Sequence, residues 1–311
     1  MSSPSMAVFE LPGFGKSSFA GRQIVGLAHQ GVASLVTDLK AEYSPLVGPL
    51  GGQVMEFGKG YRLNLLDLGA MGDAARRIGG SRGQALRELA VGRVVDAVSA
   101  KVQLVRRQPV GTWEVTLLTT AVWALDLAFR RKRAAPTWSD LVRVVQNPTD
   151  GMLTAVLAKD AADYQELATG LQRSLQAVLE GPLGRLYDGQ TTDRLRTDAP
   201  TVSIDISAIS RQSESILASV MLASWGETFA AVETANALTD AGLTPQRNYL
   251  VVLDELWRPM RLEGAGLVDK VDSVTRLNRA AGVGNILVTH SLRDLQSMSS
   301  EADNRKAAGP R

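Results

Sequence analysis

The residues best suited to chemistry form a glycine-rich segment, PGFGKSS, at residues 12–18. This segment follows an apolar run, Met6–Phe9, and precedes a helical pattern over Ser17–His29. In such a strand–loop–helix setting the glycines let backbone N–H groups surround phosphates, and the helix N-terminus adds the positive end of its dipole. Lys16 is then placed to reach the β- and γ-phosphates of a nucleotide, and the Ser17 hydroxyl to ligate Mg²⁺.

The predicted nucleotide-binding residues are Pro12, Gly13, Phe14, Gly15, Lys16, Ser17 and Ser18. ATP and Mg²⁺ are the cofactors that this pattern implies. The alternative is a chance glycine-rich turn, which the Gly-Lys-Ser triplet after an apolar strand disfavours. Glu10 occupies the first glycine position of the full G-x-x-x-x-G-K-[ST] pattern. Its carboxylate is therefore expected to weaken phosphate binding through charge repulsion.

A second chemical element, the acidic pair Asp254-Glu255, ends the apolar run 250–253. Asp254 is predicted to hold Mg²⁺, usually through water, and Glu255 to orient and deprotonate an attacking water molecule. An acidic pair after an apolar run is also a common way for an ordinary strand to end. Its combination with a phosphate loop upstream favours the catalytic interpretation.

Further candidates lie in the segment Thr275–Ser291. In oligomeric ATPases an arginine from such a region can reach the γ-phosphate bound to a neighbouring subunit, where its planar cation stabilises the transition state. We predict this role for Arg279 ahead of Arg276, and a solvated helix face is the alternative for each. His290 follows a predicted strand, where a polar side chain could sense the γ-phosphate; a surface histidine is the alternative.

Short apolar runs rich in Val and Ile must position these residues. They alternate with helical patterns, which predicts an α/β fold with a mostly parallel sheet covered on both faces. The predicted strands are Met6–Phe9, Ala33–Thr37, Gln53–Phe57, Thr201–Asp205, Tyr249–Leu253 and Asn285–Val288. Asp38, Asp205 and Asp254 lie at or just after the carboxyl ends of three of these strands, the edge where open α/β sheets bind ligands.

A long stretch between the third and fourth strands contains no convincing strand and predicts an all-helical insertion. Apolar residues follow a helical period over Gln84–Arg107 and Thr112–Arg131, and another helix is predicted over about Asp160–Glu180. The predicted divisions are 1–69 for the first part of the α/β core, 70–195 for the helical insertion and 196–311 for the second part of the core.

Charge is unevenly distributed along the chain. The net charge of +2 over 311 residues does not by itself indicate a nucleic-acid partner. Residues 70–133, however, contain twelve Lys and Arg against five Asp and Glu, a net charge of +7. Such a concentration on helices suits contact with DNA phosphates or an acidic partner surface. A solvated helical face, with arginines complementing helix C-termini, is the alternative.

Composition excludes several classes of site. The chain has no cysteine, so disulfides, thiol nucleophiles and thiolate metal sites are excluded, and two histidines do not predict a zinc site. The longest apolar stretch, Val115–Phe129, contains Asp126 and is too short to cross a bilayer of about 30 Å. The first ten residues lack the features of a signal peptide. We expect a soluble protein, or one held at a membrane by partners.

Several of these segments together resemble the TraC-like cytoplasmic motor ATPases of conjugation and type IV secretion, within the FtsK/HerA group of RecA-fold translocases, especially actinobacterial conjugal-transfer ATP-binding proteins. The resemblance spans almost the whole chain and lies in PGFGKSS, Thr37–Leu46, Gly51–Leu68, Val202–Ser207, Val251–Arg258 and Arg276–Leu295. Two of its patterns are more specific than a phosphate loop: D-x-x-x-E-Y at Asp38, Glu42 and Tyr43, and N-x-x-D at Asn64 and Asp67.

The resemblance implies a RecA-like P-loop core with a large helical insertion, working as a hexamer that hydrolyses ATP to move DNA or protein. It implies other transfer or secretion-channel components as partners, and a place in the cytoplasm or at the inner face of the membrane. His290 stands where the family commonly has Gln, and the chain is expected to be shorter than family members at both ends. Two other functions remain open: a catalytically weak nucleotide-binding scaffold, and a DNA-pumping or coupling ATPase of the same superfamily.

Overall fold

The computed structural model describes residues 5–9, 15–209, 211–255 and 282–289. The chain divides into two compact units. We call the first the sheet unit, which comprises Met1–Lys59 and Leu195–Arg311, and the second the helical unit, which comprises Gly60–Arg194.

The described residues form six strands and ten helices. The strands are β1 Ser5–Phe9, β2 Ala33–Asp38, β3 Gln53–Glu56, β4 Thr201–Asp205, β5 Tyr249–Asp254 and β6 Val283–Thr289. The helices are α1 Lys16–Ala28, α2 Ser44–Val47, α3 Gly69–Ile78, α4 Gly80–Arg106, α5 Thr112–Phe129, α6 Trp138–Gln146, α7 Asp150–Ala155, α8 Ala161–Glu180, α9 Gly184–Tyr187 and α10 Glu214–Asp240. The helical unit contains α3 to α9, and the other elements belong to the sheet unit.

The strands form one sheet in the order β1-β6-β5-β2-β4-β3, and every neighbouring pair is parallel. All six lie where the sequence predicts them, and the predicted α/β fold class is confirmed. β6 lies between β1, which precedes the glycine-rich segment, and β5, which ends in the acidic pair. On the other side of β5, the register pairs Thr37 of β2 with Leu253. Asp38 and Asp254 therefore lie at the same level on the carboxyl edge.

Burial on both faces explains why the strands are continuous apolar runs. Every residue of β2, β4 and β5 is buried, as expected for a parallel sheet with helices on both sides. On one face, Ala20 and Ile24 of α1 join a core cluster with Val36, Val252 and Ile286. A fully buried side chain of the size of Val or Ile contributes roughly 1.5–3 kcal/mol. This packing fixes α1 on the sheet, and with it the described end of the phosphate loop, residues 15–18.

The helix α10 forms part of the core of the sheet unit. Its N-cap is Ser213, whose hydroxyl accepts a hydrogen bond from the Ile216 N–H. Within the part of the chain that the structure describes, α10 alone is long and apolar enough to span a membrane by length and composition. However, 67% of its most apolar window is buried inside the protein, which is the behaviour of a core helix.

The helical unit contains the predicted helices over 84–107, 112–131 and 160–180 as α4, α5 and α8. A capping box begins α6, because the Asp140 carboxylate accepts hydrogen bonds from the N–H and hydroxyl of Thr137 at 2.9 and 3.1 Å. Asp160 caps α8 by accepting a hydrogen bond from the Asp163 N–H at 2.9 Å. These local bonds satisfy N–H groups that have no partner inside the helix.

The helix α4 begins earlier than the sequence predicts, at Gly80. Gly79 and Gly80 have φ values of +64° and +56°, which glycine adopts without strain, and they turn the chain between α3 and α4. Gly83 allows the two helices to approach closely, since a Cβ atom there would lie 2.4 Å from the Ala75 carbonyl oxygen. Close packing of α3 on α4, which periodicity does not reveal, thus decides where α4 begins.

Candidate nucleotide-binding site

A cleft of about 1100 Å³ in the sheet unit joins the two chemical elements that the sequence predicts. It is lined by Gly15–Ser18 and later residues of α1, by residues of the segment 40–46 (the loop after β2 and the start of α2), and by Asp254 and Glu255 at the end of β5. Small-molecule sites usually occupy about 300–1,000 Å³, so the cleft can accept a nucleotide. The structure therefore brings the described part of the phosphate loop and the acidic pair to one place.

Gly15 sets the geometry at the start of α1. Its φ of +107° lies in the region that residues with a side chain rarely adopt. The N-cap offers no side-chain hydrogen bond to the first turn, and that turn contains no acidic residue. The first N–H groups of the helix and the positive charge of Lys16, its first residue, therefore suit phosphate.

The acidic pair is deeply buried at the end of β5. The Asp254 carboxylate accepts a hydrogen bond from the Glu255 N–H at 2.9 Å. Burial and, after it, the neighbouring Glu255 charge raise the pKa of Asp254 to about 7, although Lys40 and the Glu255 N–H act in the opposite direction. Glu255 has a φ of +53°, a left-handed conformation that is strained for a residue with a side chain. Perturbed, strained carboxylates in a cleft are typical of functional sites.

Asp38, which opens the D-x-x-x-E-Y pattern, organises the loop after β2. Its buried carboxylate accepts backbone N–H bonds from Lys40, Glu42, Tyr43 and Ser44 at 3.3, 3.0, 2.9 and 3.0 Å, and a bond from the Ser44 hydroxyl at 3.1 Å. A carboxylate with this many donors is fully compensated for burial. The pattern therefore specifies a fixed loop beside the cleft, and Asp38 itself is a structural residue.

Lys40 extends from this loop to the acidic pair. Its Nζ donates to Glu255 Oε1 at 3.2 Å. Burial would lower the pKa of Lys40, but the hydrogen bond and charge of Glu255, with the charges of Asp254 and Glu42, raise it overall. Lys40 is thus a cation in direct contact with the predicted general base.

Tyr43 lies on the same loop with its side chain buried beside the predicted Mg²⁺ ligands. Burial and the Asp254 charge raise the pKa of its phenol, while the Ser17 side chain lowers it. The Ser17 side chain thus lies close to the Tyr43 hydroxyl. That hydroxyl is buried and forms no hydrogen bond that meets the usual distance and angle limits. The third member of the pattern therefore brings a phenol against the first turn of α1.

The donor set fits Mg²⁺ that is held together with a nucleotide. Ser17 and Asp254 line the same cleft, and Mg²⁺ in nucleotide sites takes one or two protein oxygens, phosphate oxygens and waters. No cluster of three or more His, Asp or Glu able to hold a metal by itself occurs among the described residues. A cation at Asp254 would favour the ionised form that burial disfavours.

Several predicted residues lie outside the described residues. They are Glu10, Pro12, Gly13, Phe14, Arg276, Arg279 and His290. Of the segment that contains His290, the structure describes β6, which ends at Thr289 between β1 and β5. The roles assigned to these residues stay predictions.

The N-x-x-D pattern belongs to the helical unit, where its side chains organise their own chain. The buried Asn64 side chain donates to the Pro136 carbonyl at 2.9 Å and accepts from the Leu66 N–H at 3.0 Å. Asp67 accepts hydrogen bonds from the Gly69 N–H at 2.9 Å and from Arg194 at 2.6 Å. The pattern therefore fixes the entry into α3.

The basic segment of the helical unit combines ion pairs with a polar cavity. Arg76, Arg87, Arg106 and Arg130 each form an ion pair with an acidic side chain of the same unit. A cavity of about 250 Å³ is lined by several of them and by the run 130–133 at the end of α5. Part of the positive charge of the segment thus stabilises the helical unit through ion pairs. Among the cavity-lining cations, most belong to the run 130–133.

Sequence reasoning assigned no role to Lys40, although it lies inside a pattern that the sequence singled out. A lysine two residues after a strand is unremarkable without knowledge of which strand lies next to it. The adjacency of β2 and β5 supplies that knowledge, and strand order cannot be deduced from a single sequence.

Comparison with solved structures shows the same fold in conjugation-type proteins. VirB4 of Thermoanaerobacter pseudethanolicus matches with a TM-score of 0.64 and 16% identity over 93% of this chain and 70% of that chain. The bacterial conjugative coupling protein TrwBdeltaN70, in an unbound form, matches with a TM-score of 0.52 and 13% identity over 97% of this chain and 67% of that chain. Protein-family models and curated sequences give no match. The predicted RecA-like P-loop fold is confirmed, and the resemblance to conjugation ATPases holds at the level of the fold.

Proposed function

We propose that this chain is the ATP-binding and ATP-hydrolysing motor subunit of a conjugative DNA-transfer or type IV secretion apparatus. The observation that carries the proposal is the cleft in which Gly15–Ser18 meet Asp254 and Glu255. The fold shared with VirB4 and with a conjugative coupling protein supports it. In this proposal the sheet unit is the ATPase core and the helical unit is the insertion.

Binding of the nucleotide follows from the charges at the start of α1. Lys16 and the helix N-terminus attract the β- and γ-phosphates, and Pro12–Phe14 complete the loop around them. Mg²⁺ bound to Ser17, Asp254 and phosphate oxygens would neutralise charge on the transferred phosphoryl group. Through that ion, Ser17 and Asp254 would orient the phosphates from two sides of the cleft.

Hydrolysis requires a base, and we assign this role to Glu255, which lines the cleft. As the water oxygen bonds to the γ-phosphorus, Glu255 takes the proton of that water. The bond from the γ-phosphorus to the β–γ bridging oxygen breaks, and ADP leaves with its electron pair while inorganic phosphate forms. A positioned general base usually contributes about 10²–10⁴-fold to the rate.

Assembly supplies the remaining part of the site in this proposal. We assign Arg279, with Arg276 as the second choice, to the γ-phosphate bound by a neighbouring subunit of a homo-hexamer. His290 follows β6, whose end lies between β1 and β5, so it is assigned to sensing the γ-phosphate from within the same subunit. Both assignments use cationic or polar side chains to stabilise charge that develops during phosphoryl transfer.

The helical unit is the proposed contact with the transported substrate. Its basic segment over 70–133 carries a net charge of +7, which suits DNA phosphates, and the other expected partners are components of the transfer or secretion channel. The proposed location is the cytoplasm or the inner face of the membrane. Weakening of DNA binding by raised salt, and by substitution of the run 130–133, tests this part separately from ATP hydrolysis.

Two variants of the purified chain test the enzymatic proposal. Lys16→Ala is expected to lose nucleotide binding, whereas Glu255→Gln should keep binding and hydrolyse ATP about 10²–10⁴-fold more slowly. Lys159→Ala and Glu166→Gln, both exposed on the helical unit, are the matched controls. Normal hydrolysis by Glu255→Gln would contradict the assignment of the base. A wild-type chain that binds ATP without hydrolysing it would indicate the scaffold instead.

Mixing of variants tests the shared site. Arg279→Ala is expected to abolish hydrolysis, and mixing it with Glu255→Gln should restore part of the activity. The rescue is possible because some interfaces then combine an intact Arg279 with an intact Glu255. Activity that stays proportional to protein concentration down to isolated monomers would argue against a site shared between subunits.

A further inference from the structure

The loop that carries Lys40 is held rigidly against the sheet. Asp38 ends β2, which is paired with β5, and its carboxylate accepts four backbone N–H bonds from the four loop residues Lys40, Glu42, Tyr43 and Ser44. The Ser44 hydroxyl bonds the same carboxylate and lies 3.2 Å from the Ser203 hydroxyl of β4. The main chain at Lys40 therefore has a fixed position relative to the end of β5.

From this fixed position Lys40 reaches one oxygen of the general base. The distance from its Nζ to Glu255 Oε1 is 3.2 Å. The Glu255 side chain is 5% exposed and that of Lys40 is 52% exposed, so the lysine covers the base from the open side of the cleft. The contact is to Oε1 of the Glu255 carboxylate.

Glu255 needs such support because of its backbone and its neighbour. Its left-handed φ of +53° is strained, and it directly follows the buried Asp254, whose carboxylate interacts unfavourably with the Glu255 charge. Like charges repel each other, which pushes the two side chains apart. A cation bound to Glu255 counters that repulsion and restricts the side chain to one orientation.

We propose that Lys40 is a positioning residue for the general base Glu255, and that its role is to hold the base carboxylate in place for proton transfer. This inference rests on the proposed function, because it requires Glu255 to act on water. Lys40 acts through Glu255, so it affects the rate of hydrolysis and not the affinity for ATP.

If Lys40 had a merely structural role, its substitution would lower the free energy of unfolding, which is not what its exposure predicts. Half of its side chain is in solvent, so its removal leaves no cavity in the core and changes the free energy of unfolding little. A phosphate-binding role differs too, since loss of the cation would then weaken the binding of ATP more than that of ADP. The two roles and the positioning role can be separated by kinetics.

The test is a double-mutant cycle between Lys40→Met and Glu255→Gln, with kcat and KM measured for each variant. We expect Lys40→Met to lower kcat at least tenfold with the ATP dissociation constant unchanged within twofold. In the Glu255→Gln background the same substitution should have no further effect. Lys40→Arg, which keeps the charge and a donor, should recover part of the lost rate.

Lys59→Met is the matched control, because Lys59 forms a 2.5 Å ion pair with Glu56 after β3 and does not line the cleft. It should leave kcat unchanged. An unchanged kcat in Lys40→Met, a selective loss of ATP affinity, or an equal loss of rate in both backgrounds would each overturn the positioning role. Full hydrolysis by Glu255→Gln alone would instead reject the proposed base, so the two failures can be distinguished.

Discussion

Asp126 of the helical unit and Asp254 of the sheet unit are both buried, at 8% and 3% exposure, but their surroundings differ. Asp126 receives two hydrogen bonds from the buried Arg87, one of them from Nε at 2.9 Å, and a third from Arg130 at 3.1 Å. Asp254 receives the Glu255 N–H and lies next to a second carboxylate. The nearby Lys40 contacts Glu255.

The difference separates charges that build the fold from charges that prepare a site. A buried carboxylate with bidentate and additional cationic donors is compensated, and it fixes the packing of two helices. A buried carboxylate beside another carboxylate is under-compensated, which raises its pKa and makes the cleft receptive to a cation. The helical unit thus has satisfied ion pairs, whereas Asp254 lacks a cation of its own among the described residues, a place that Mg²⁺ bound with nucleotide would fill.

The largest effect on stability is expected from Asp126→Ala. The substitution leaves the Arg87 guanidinium buried without its bidentate partner, and breaking a buried pair in this way costs about 3–5 kcal/mol. Denaturant unfolding should show this loss, while the affinity for ATP stays that of the wild-type chain. A change below about 1 kcal/mol, or a loss of nucleotide binding in the folded variant, would break the distinction between the two carboxylates.

In contrast to Asp126→Ala, Asp254→Asn is expected to raise the free energy of unfolding in the absence of Mg²⁺. The pKa of Asp254 is raised from 3.8 to about 7 in the folded state. Below about pH 4 the carboxyl is protonated in both states and has no effect on stability. Between about pH 4 and 7 the unfolded chain ionises first, so stability falls, and above about pH 7 the full penalty of roughly 4 kcal/mol applies.

Unfolding of Asp254→Asn and of the wild-type chain in EDTA at several pH values measures this effect. The variant should be the more stable protein at pH 8, and the advantage should disappear towards pH 4. A variant that is less stable than the wild-type chain at pH 8 would show that Asp254 is compensated after all.

A smaller loss is expected from Asp38→Asn, which sharpens the comparison inside the sheet unit. Asp38 lies level with Asp254 but is satisfied by five hydrogen bonds, so the substitution should destabilise the chain by about 1.5–3 kcal/mol. Hydrolysis should also slow, because the loop that carries Lys40 loses its anchor. Unchanged stability together with an unchanged rate of hydrolysis would show that Asp38 does not hold the loop that carries Lys40.

The smallest effect concerns Glu10, which lies outside the described residues. Replacing its charge near the phosphates should tighten binding, so Glu10→Gly is expected to lower the ATP dissociation constant about tenfold, or ~1.4 kcal/mol. Glu10→Gln should give part of this gain, because it removes the charge without giving glycine's backbone freedom. Titration with a fluorescent ATP analogue measures both, and equal affinities in the three proteins would mean that Glu10 points to solvent.

Sequence predicted the elements of the sheet well because its strands are buried on both faces. Continuous apolar runs such as Leu250–Leu253 are unfavourable at an exposed position. The carboxyl ends of parallel strands share one edge of the sheet, so the acidic pair could be placed near the phosphate loop. The start of α4 could not be predicted, because Gly83 is explained only by its close approach to Ala75.

Contacts between the loops that follow different strands could not be predicted from the sequence either. The D-x-x-x-E-Y pattern marked the loop after β2, but the five bonds to Asp38 and the contact of Lys40 with Glu255 depend on strand order and loop geometry. The basic segment illustrates the reverse case, since charge alone predicted a binding surface while Arg87 forms an internal ion pair.

Whether Mg²⁺-nucleotide is the missing partner of Asp254 is tested most directly by unfolding at pH 8 with a non-hydrolysable ATP analogue. With Mg²⁺ and the analogue at 100 times its dissociation constant, the wild-type chain should gain about 2.7 kcal/mol of stability. The gain should fall when EDTA replaces Mg²⁺ and should vanish in Lys16→Ala. Equal stabilisation of the wild-type chain and Lys16→Ala, with or without Mg²⁺, would contradict a nucleotide site in this cleft.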